Sequence, residues 1–184
     1  MKHQGTKRLE TRRLILRPLT AADAPSMYRN WASDDEVTRY LTWPTHVAAE
    51  DTVRFVDWCL DGYRQPSAYL WGIEMKDSGQ LVGTISAVKC QEAIDEVELG
   101  WALGRAWWGQ GIMPEAAEEV VRFFFEEVGA HRVCAAHDTN NAKSGRVMQK
   151  IGMRHEGTLR AAGRNNQGIV DMDVYAILRE DRKK

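Results

Sequence analysis

Apolar residues recur along residues 49 to 63 at the spacing of an α-helix. From residue 49 onward, apolar side chains return every three or four positions, which places them on one helical face. These positions are Ala49, Val53, Val56, Leu60 and Tyr63. Upstream, Thr20 and Asp23 have the spacing of a capping box, which predicts a helix running to about Trp31. This part of the chain is therefore predicted to be mainly helical.

Elsewhere the pattern changes to a period of two, or to short apolar runs bounded by turn residues, which is typical of β-strands. The predicted strands are Leu14–Pro18, Tyr69–Met75, Leu81–Val88, Glu96–Leu103, Arg132–His137, Met153–Leu159 and Ile169–Leu178. Short polar links join the second, third and fourth of them, which predicts an antiparallel meander. Residues 160–168 are predicted to form a polar loop between the last two strands.

A crossover helix is predicted from Pro114 to Val128, ended by Gly129. It joins the fourth predicted strand to the fifth. A strand, a helix and a second strand of this length almost always place the two strands parallel, with a right-handed crossover. The pattern therefore predicts an α/β fold with a mixed sheet.

The turn before this helix contains two glycines and a proline within the eight residues from Trp108 to Glu115. Glycine lets the backbone approach another group closely, and proline suits the first helical turn. Amide N–H groups at such a turn have no partner inside the helix, and the helix dipole adds partial positive charge. The turn is therefore predicted to bind a phosphate group. The third glycine and the acidic residue of a dinucleotide fingerprint are missing, and so is the Gly-Lys-Ser or Gly-Lys-Thr of a P-loop.

The composition predicts a single domain over residues 1–184, with its core between about residues 12 and 180. The 184 residues are 43% hydrophobic and 28% charged, with a net charge of -1, which gives no electrostatic case for binding nucleic acid. The basic residues near the N-terminus are predicted to form a solvated arm. They are Lys2, Lys7, Arg8, Arg12, Arg13 and Arg17. The sequence shows neither a membrane-spanning run nor a signal peptide, which predicts a cytoplasmic protein.

The cysteines and histidines indicate no metal site. The three cysteines are far apart and odd in number, and they form no Cys-x-x-Cys pair. The five histidines show no ligand spacing, so no metal is predicted. His137, at the end of a predicted parallel strand, is the one histidine expected near a cleft.

Several segments together resemble the GCN5-related N-acetyltransferases (GNAT), and within them the RimJ/RimL-like subgroup that acetylates the N-termini of ribosomal proteins. The matching segments are Glu98-Leu99-Gly100-Trp101, Trp108-Gly109-Gln110-Gly111-Ile112 with Glu115-Ala116, Asn141-Ala142-Lys143-Ser144, Ile151-Gly152-Met153 with Glu156-Gly157, and Asp171 with Tyr175-Ala176-Ile177-Leu178. Their order and spacing are similar to those of the family from Leu14 onward, and most strongly from Glu96 to Leu178.

The resemblance implies a sheet of about seven strands whose two central parallel strands splay apart, with acetyl-CoA in the opening. It implies that backbone amides hold the pyrophosphate and that a strand edge pairs with the pantetheine arm. The implied pyrophosphate residues are Trp108, Gly109, Gln110, Gly111, Ile112 and Met113. The implied pantetheine residues are Trp101, Ala102 and Leu103 on one side, with Asn141 and Ser144 on the other.

One position departs from the family pattern. The family often has Gln or Arg three residues before the first glycine, and here that position is Ala106, with Arg105 one place earlier. Backbone amides, not that side chain, are expected to hold the phosphates, so the departure leaves only the partner of the 3'-phosphate unassigned.

Acetyl transfer to an amine requires a neutral nucleophile, a polarised carbonyl and a proton for the leaving thiolate. Glu98 is the candidate base, because in a strand it shares a face with Gly100 and Ala102, whose small side chains leave space around it. The alternative is that Glu98 pairs with an arginine or caps a backbone group. Ser144 is the candidate acid, or else a capping or cofactor-binding hydroxyl, and Tyr175 is its rival or a core residue.

The acceptor amine is the least determined part of the prediction. The subgroup implies the N-terminal alanine or serine of a ribosomal protein, in a groove that Trp31 or Trp43 lines. The alternatives are a small-molecule amine, or a module that binds acetyl-CoA as a sensed ligand without turnover. Exposed strand edges after Gly152 would also allow a homodimer.

Overall fold

The computed structural model describes residues 1–183, which form one mixed β-sheet with helices on both faces. The strands are β1 (Leu9–Glu10), β2 (Leu14–Arg17), β3 (Leu70–Met75), β4 (Leu81–Gln91), β5 (Glu96–Leu103), β6 (Arg132–Asp138), β7 (Arg154–Asn165) and β8 (Gly168–Leu178). The main helices are α1 (Ala24–Met27), α2 (Asp35–Thr38), α3 (Ala49–Gly62), α4 (Ile112–Phe123) and α5 (Ala142–Lys150). The predicted α/β fold with a mixed sheet is confirmed, and the two-residue strand β1 adds an eighth strand too short to show a period.

The sheet opens at its centre between the two parallel strands. Its order is β1-β2-β3-β4-β5-β6-β8-β7, and only β5 and β6 run parallel. They pair from Glu96 opposite Arg132 to Leu99 opposite Ala135, and the pairing stops there although both strands continue. Because β5 stays paired with β4 and β6 with β8, the two strands diverge beyond Leu99 and leave a slot in the sheet.

The two faces of the sheet have separate cores. Val97 and Leu99 of β5 belong to the core under α4, which also contains Val120. On the opposite face, Ala102 packs into a second core with residues of α1 and α3, including Met27. The alternation along β5 therefore places Glu98 and its small neighbours away from α4.

The buried face of α3 is rotated from the predicted one. Thr52, Val56 and Cys59 are buried, whereas Val53 is 45% exposed. A threonine is tolerated on this face because its hydroxyl lies 2.7 Å from the Nδ1 of His46. The spacing of apolar residues alone could not assign Thr52 to the buried face, because its hydrogen-bond partner His46 lies outside the helix.

The N-terminal segment is not the predicted solvated arm, because its backbone packs along the sheet, although the side chains of Lys2, Lys7, Arg8 and Arg12 are exposed. The Met1 ammonium lies 3.1 Å from Asp95, the Lys2 amide donates to the Val128 carbonyl at 2.7 Å, and the Trp71 indole N–H donates to the Lys7 carbonyl at 2.6 Å. These partners come from distant parts of the chain, so local charge density gave no sign of them.

The last hairpin is longer than predicted. Residues 160–168 are mainly β-structure, since β7 extends to Asn165 and β8 begins at Gly168. The pairing is irregular between Leu159 and Gly163, and Ala161 has a φ of 50° there. This bulge breaks the period of two, which explains why the segment reads as a loop in the sequence.

Among residues 1–183, no helix combines the length and apolar character needed to cross a membrane.

Candidate active site

The glycine turn carries free backbone donors into the start of α4. The amide N–H groups from Gly109 to Met113 donate no hydrogen bond of 3.5 Å or less to any described residue. The Trp108 amide differs from them, because it donates to the Arg105 carbonyl at 3.2 Å. Gly109 and Gly111 have φ angles of 77° and 72°, a conformation that glycine adopts without strain. The turn therefore presents five donors at a helix N-terminus, where the helix dipole also favours an anion.

The start of β2 holds this turn in place. The Glu115 carboxylate accepts hydrogen bonds from the Thr11 hydroxyl at 2.6 Å, the Arg13 amide at 2.9 Å and the Arg13 Nε at 2.6 Å. Arg13 Nη1 also donates to the Gln110 carbonyl at 3.1 Å. Burial acts to raise the pKa of Glu115, but the bonds from Thr11 and Arg13 outweigh it and lower that pKa. Sequence reasoning missed this role of Arg13, because it assigned the residue to a solvated arm.

A first cleft of about 670 Å³ lies against the glycine turn. Its lining includes most of the predicted cofactor residues, namely Trp101, Ala102, Leu103, Trp108, Gly109, Gly111, Ile112, Met113, Asn141 and Ser144. Gln110 does not line it, since the Gln110 side chain donates to the Ala106 carbonyl at 2.9 Å. The turn, the end of β5 and the start of α5 thus meet around one space.

The free edge of β5 faces the slot. The Gly104 amide donates to the Val82 carbonyl of β4 at 2.8 Å, so Ala102, two residues earlier, also directs its backbone groups to β4. Trp101 and Leu103 then direct their backbone N–H and C=O groups away from β4. They lie beyond Leu99, where the pairing of β5 with β6 ends, so β6 does not cover these groups. The Leu103 carbonyl accepts the Trp108 indole N–H at 2.7 Å. The backbone of Trp101 and the amide of Leu103 are the edge groups that an extended ligand in the slot meets.

A second cleft of about 560 Å³ lies on the other side of the slot. Both clefts include Trp101, Ala102, Asn141 and Ser144 in their linings, so they meet where the strands separate. Such a pair of connected clefts can bring a ligand held at the glycine turn and a second ligand to one point.

Glu98 is half-buried in the second cleft. Its carboxylate makes no hydrogen bond or ion pair with the described residues. Loss of solvent raises its pKa above that of an ordinary glutamate; nearby Lys89 opposes this shift and Glu96 adds to it. An unpaired carboxylate with a raised pKa suits a general base better than a structural ion pair.

Asn141 and Ser144 occupy the point where the clefts meet. Asn141 caps α5, and its side-chain oxygen accepts the Ser144 amide at 3.4 Å. The Ser144 hydroxyl makes no hydrogen bond with the described residues, so it is available to a ligand. Tyr175 is 7% exposed, lines neither cleft, and accepts a hydrogen bond from Gln149 Nε2 at 3.3 Å. The geometry brings Ser144, not Tyr175, to the site.

The remaining sequence candidates divide between the site and the core. Trp43 and His137 line the second cleft, whereas Trp31 is fully buried in the core formed with α1 and α3. His137 Nδ1 lies 2.7 Å from the Asp138 carbonyl, and its Nε2 has no hydrogen-bond partner among the described residues. A Cβ on Gly145 would lie 2.7 Å from that Nε2, so the glycine lets α5 pack directly on the histidine.

Basic side chains border the first cleft, where sequence reasoning left the 3'-phosphate without a partner. Those in its lining are Arg39, Lys143, Arg146 and Lys150. The Lys143 ammonium lies 3.6 Å from the centre of the Trp108 ring, a cation–π contact. Arg146 and Lys150 form no ion pair with the described residues. Three of the four lie on α5 at spacings that put them on one helical face. The sequence contains this spacing, but only the position of α5 in the folded chain shows that the face borders a cleft.

Within residues 1–183, no group of three or more His, Cys, Asp or Glu residues is arranged to hold a metal ion.

Comparison with known proteins identifies the family. Residues 13–154 match the family described as Acetyltransferase (GNAT) domain. The chain is 32% identical over 171 residues to the uncharacterized N-acetyltransferase YoaA of Bacillus subtilis (strain 168), covering 93% of this chain and 96% of YoaA. It is 26% identical over 96 residues to the [ribosomal protein uS5]-alanine N-acetyltransferase of Escherichia coli (strain K12), covering 52% of this chain and 50% of that enzyme. A GNAT-family acetyltransferase structure from Bacillus anthracis superposes with a TM-score of 0.83 at 28% identity, covering 95% of this chain and 99% of that one.

The family match spans most of the chain and includes the glycine turn, both parallel strands and α5. The open sheet, the free amides and the two connected clefts agree with it. The chain belongs to the GNAT family and is an acetyl-CoA-dependent N-acetyltransferase.

Proposed function

We propose that acetyl-CoA lies in the first cleft, with its pyrophosphate on the amides from Gly109 to Met113. The pantetheine arm runs through the slot beside the backbone of Trp101 and the amide of Leu103. Acetyl-CoA supplies an acetyl thioester, which this arrangement directs to the point where the clefts meet. The single observation that carries this proposal is the set of backbone donors left unpaired at the start of α4.

The acceptor amine enters through the second cleft and attacks the thioester directly. The amine nitrogen forms a bond to the carbonyl carbon, the C–S bond breaks, and the thiolate leaves. Glu98, directly or through a water molecule, takes the proton that the amine loses. The Ser144 hydroxyl donates a hydrogen bond to the leaving thiolate, which takes its proton from solvent. Holding both reactants at one point supplies much of the rate by itself.

The proposed acceptor is a protein N-terminal amine of the ribosomal alanine or serine type. A peptide N-terminus has a pKa of ~8 and a lysine side chain ~10, so a weak base suffices for the former. Glu98 is a carboxylate base of this kind, and loss of solvent raises its pKa above that of an ordinary glutamate. The uS5-alanine enzyme supports the same class of acceptor by its name, at low identity and over half of the chain.

A small-molecule amine is the second candidate, because one contact joins two segments that lie beside the second cleft. The Asn166 side chain, at the tip of the β7–β8 hairpin, donates to the carbonyls of Thr38 at 2.9 Å and Trp43 at 2.8 Å. We call this contact the Asn166 bridge. It ties the segment of Trp43 to the hairpin beside Arg164 and Asn165, all three of which line the cleft, and so favours a compact acceptor over a long polypeptide.

An acceptor panel separates these candidates. We expect free thiol to form from acetyl-CoA with peptide amides that begin with Ala or Ser, and none with the same peptides carrying an N-terminal acetyl group. Thiol release with small amines alone would instead establish the second candidate. Binding of acetyl-CoA without thiol release from any amine would leave only the sensor function.

The role of Ser144 can be tested against its rival. We expect Ser144→Ala to lower kcat roughly 10- to 100-fold, because a hydrogen bond to a charged thiolate is lost in the transition state. Tyr175→Phe should leave kcat unchanged, since the Tyr175 hydroxyl lines neither cleft. Steady-state kcat at saturating acetyl-CoA and acceptor is the measurement, with the single-turnover rate as a check on the chemical step. The opposite ranking would make Tyr175 the partner of the thiolate.

A further inference from the structure

The second cleft has a wall of aromatic side chains formed by Trp43, Phe55 and Trp58, which we call the aromatic wall. The centre of the Phe55 ring lies 5.9 Å from that of Trp43 and 5.9 Å from that of Trp58. Trp58 is 68% exposed, which is unusual for a tryptophan in a folded protein. An exposed aromatic surface at a cleft indicates a ligand that covers it.

The residues behind this wall keep it apolar and fixed. His46 lies 5.0 Å from Trp43 between ring centres, and it is buried. Burial lowers the pKa of His46, so the imidazole is neutral at physiological pH and adds no charge to the wall. Its Nδ1 lies 2.7 Å from the Thr52 hydroxyl, which fixes the ring against α3.

The carboxylates of the second cleft leave only one site for an ammonium group. Of the two that line it, Asp138 is only 3% exposed and accepts the Asn140 amide at 2.9 Å and the Asn165 side chain at 2.8 Å, so an ammonium group in the cleft has little access to it. Glu98 is the other, and it has no partner among the described residues. A polyamine or an aminoglycoside carries several ammonium groups, and each would need its own carboxylate when removed from water.

A positive charge in the lining of the second cleft also disfavours the binding of polycations. Arg164, on β7 next to the hairpin tip, lines the cleft and is exposed, and it forms no ion pair with the described residues. It repels a second positive charge on an acceptor whose first charge lies at Glu98. The charges and the aromatic wall together favour one amine joined to an apolar body.

We propose that the acceptor carries one amino group on an apolar, preferably aromatic, body, and that Trp43, Phe55 and Trp58 select it. This inference rests on the amine acetylation proposed above and narrows it. The amine lies at Glu98, and the group that follows it lies along the aromatic wall toward Trp58. For a peptide acceptor, the selected residues are those that follow the N-terminal one.

Equilibrium binding to the protein saturated with CoA tests the inference. The probes are phenethylamine against spermidine, and the tripeptide amide Ala-Phe-Leu against Ala-Lys-Lys, titrated by calorimetry. We expect the apolar member of each pair to bind at least about 10-fold more tightly. Equal binding, tighter binding of the polycations, or no binding of any probe would overturn the inference.

A variant pair assigns the preference to the wall. Trp58→Ala should weaken phenethylamine binding about 10-fold and leave spermidine and acetyl-CoA binding unchanged. Leu159→Ala is the matched control, because Leu159 is also an exposed apolar residue, at 54%, and lines neither cleft. A similar loss in both variants, or in neither, would contradict the role of Trp58.

Failure of this inference is distinguishable from failure of the proposed function. Thiol release with a preference for polycations would remove the inference and keep the acetylation. Tight binding of the apolar probes without any acetyl transfer would remove the acetylation and leave the aromatic wall as a binding surface alone.

Discussion

Gly109→Asp is expected to weaken acetyl-CoA binding on the order of 100-fold, because it places a carboxylate beside the proposed phosphate site. Gly109 has a φ of 77°, and a Cβ there would meet no atom within 4 Å, so the new side chain is accommodated in open space next to the free amides. Aspartate tolerates this backbone conformation better than most residues. The measurement is the Kd of acetyl-CoA by calorimetry, together with a thermal melt.

Gly79→Asp is the matched control for backbone strain. Gly79 lies in the turn between β3 and β4 with a φ of 65°, and a Cβ there also meets nothing within 4 Å. Both variants should lose similar stability, of about 1 kcal/mol, and only Gly109→Asp should lose affinity. Unchanged acetyl-CoA affinity in Gly109→Asp would show that the pyrophosphate does not lie on these amides.

Glu98→Gln is expected to lower kcat/KM roughly 100-fold near neutral pH, because the amine loses its base. Below neutrality the wild-type rate should rise with pH as Glu98 ionises. This rise should occur at a higher pH than the ionisation of an ordinary glutamate, because the pKa of Glu98 is raised. The variant should lack this limb and retain only the rise that belongs to the amine itself. A complete pH–rate profile of both proteins is the measurement, and identical profiles would make Glu98 structural.

The same variant, Glu98→Gln, should be more stable than wild type at neutral pH even though it is less active. The folded-state pKa of Glu98 is raised above its unfolded value, so its contribution to stability is full at low pH and is lost as pH rises through the folded pKa. Glutamine has no charge to desolvate, and Glu98→Gln should therefore melt at a higher temperature than wild type at pH 7, with the advantage vanishing near pH 4. A lower melting temperature at pH 7 would contradict the unpaired carboxylate.

Glu96→Gln separates the base from its neighbour on the strand. Glu96 accepts a hydrogen bond from Arg132 Nε at 2.5 Å and lines neither cleft. Its loss should cost about 1 kcal/mol of stability with little change in kcat/KM at neutral pH. Because the Glu96 charge contributes to the raised pKa of Glu98, the acid limb of the profile should move to lower pH.

The sequence by itself determined the elements that create the proposed phosphate site. The bounds of β5 and β6 and the position of α4 follow from local periods and from glycine and proline, whose effects on the backbone need no tertiary context. The crossover rule then made β5 and β6 parallel. Glu98 was identifiable because alternation along a strand fixes which residues share its face.

Only the tertiary structure decided which groups are free to act. The Trp108 amide donates to the Arg105 carbonyl, whereas the amides of residues 109–113 have no partner among the described residues. This difference depends on the local path of the turn. Asp138 is buried and accepts hydrogen bonds from Asn140 and Asn165, whereas Glu98 has no partner among the described residues, although both are acidic residues of parallel strands. Hydrogen-bond partners distant in sequence carry no periodic signal. The packed N-terminal segment, the Asn166 bridge and the aromatic wall therefore became visible only when the folded chain brought their parts together.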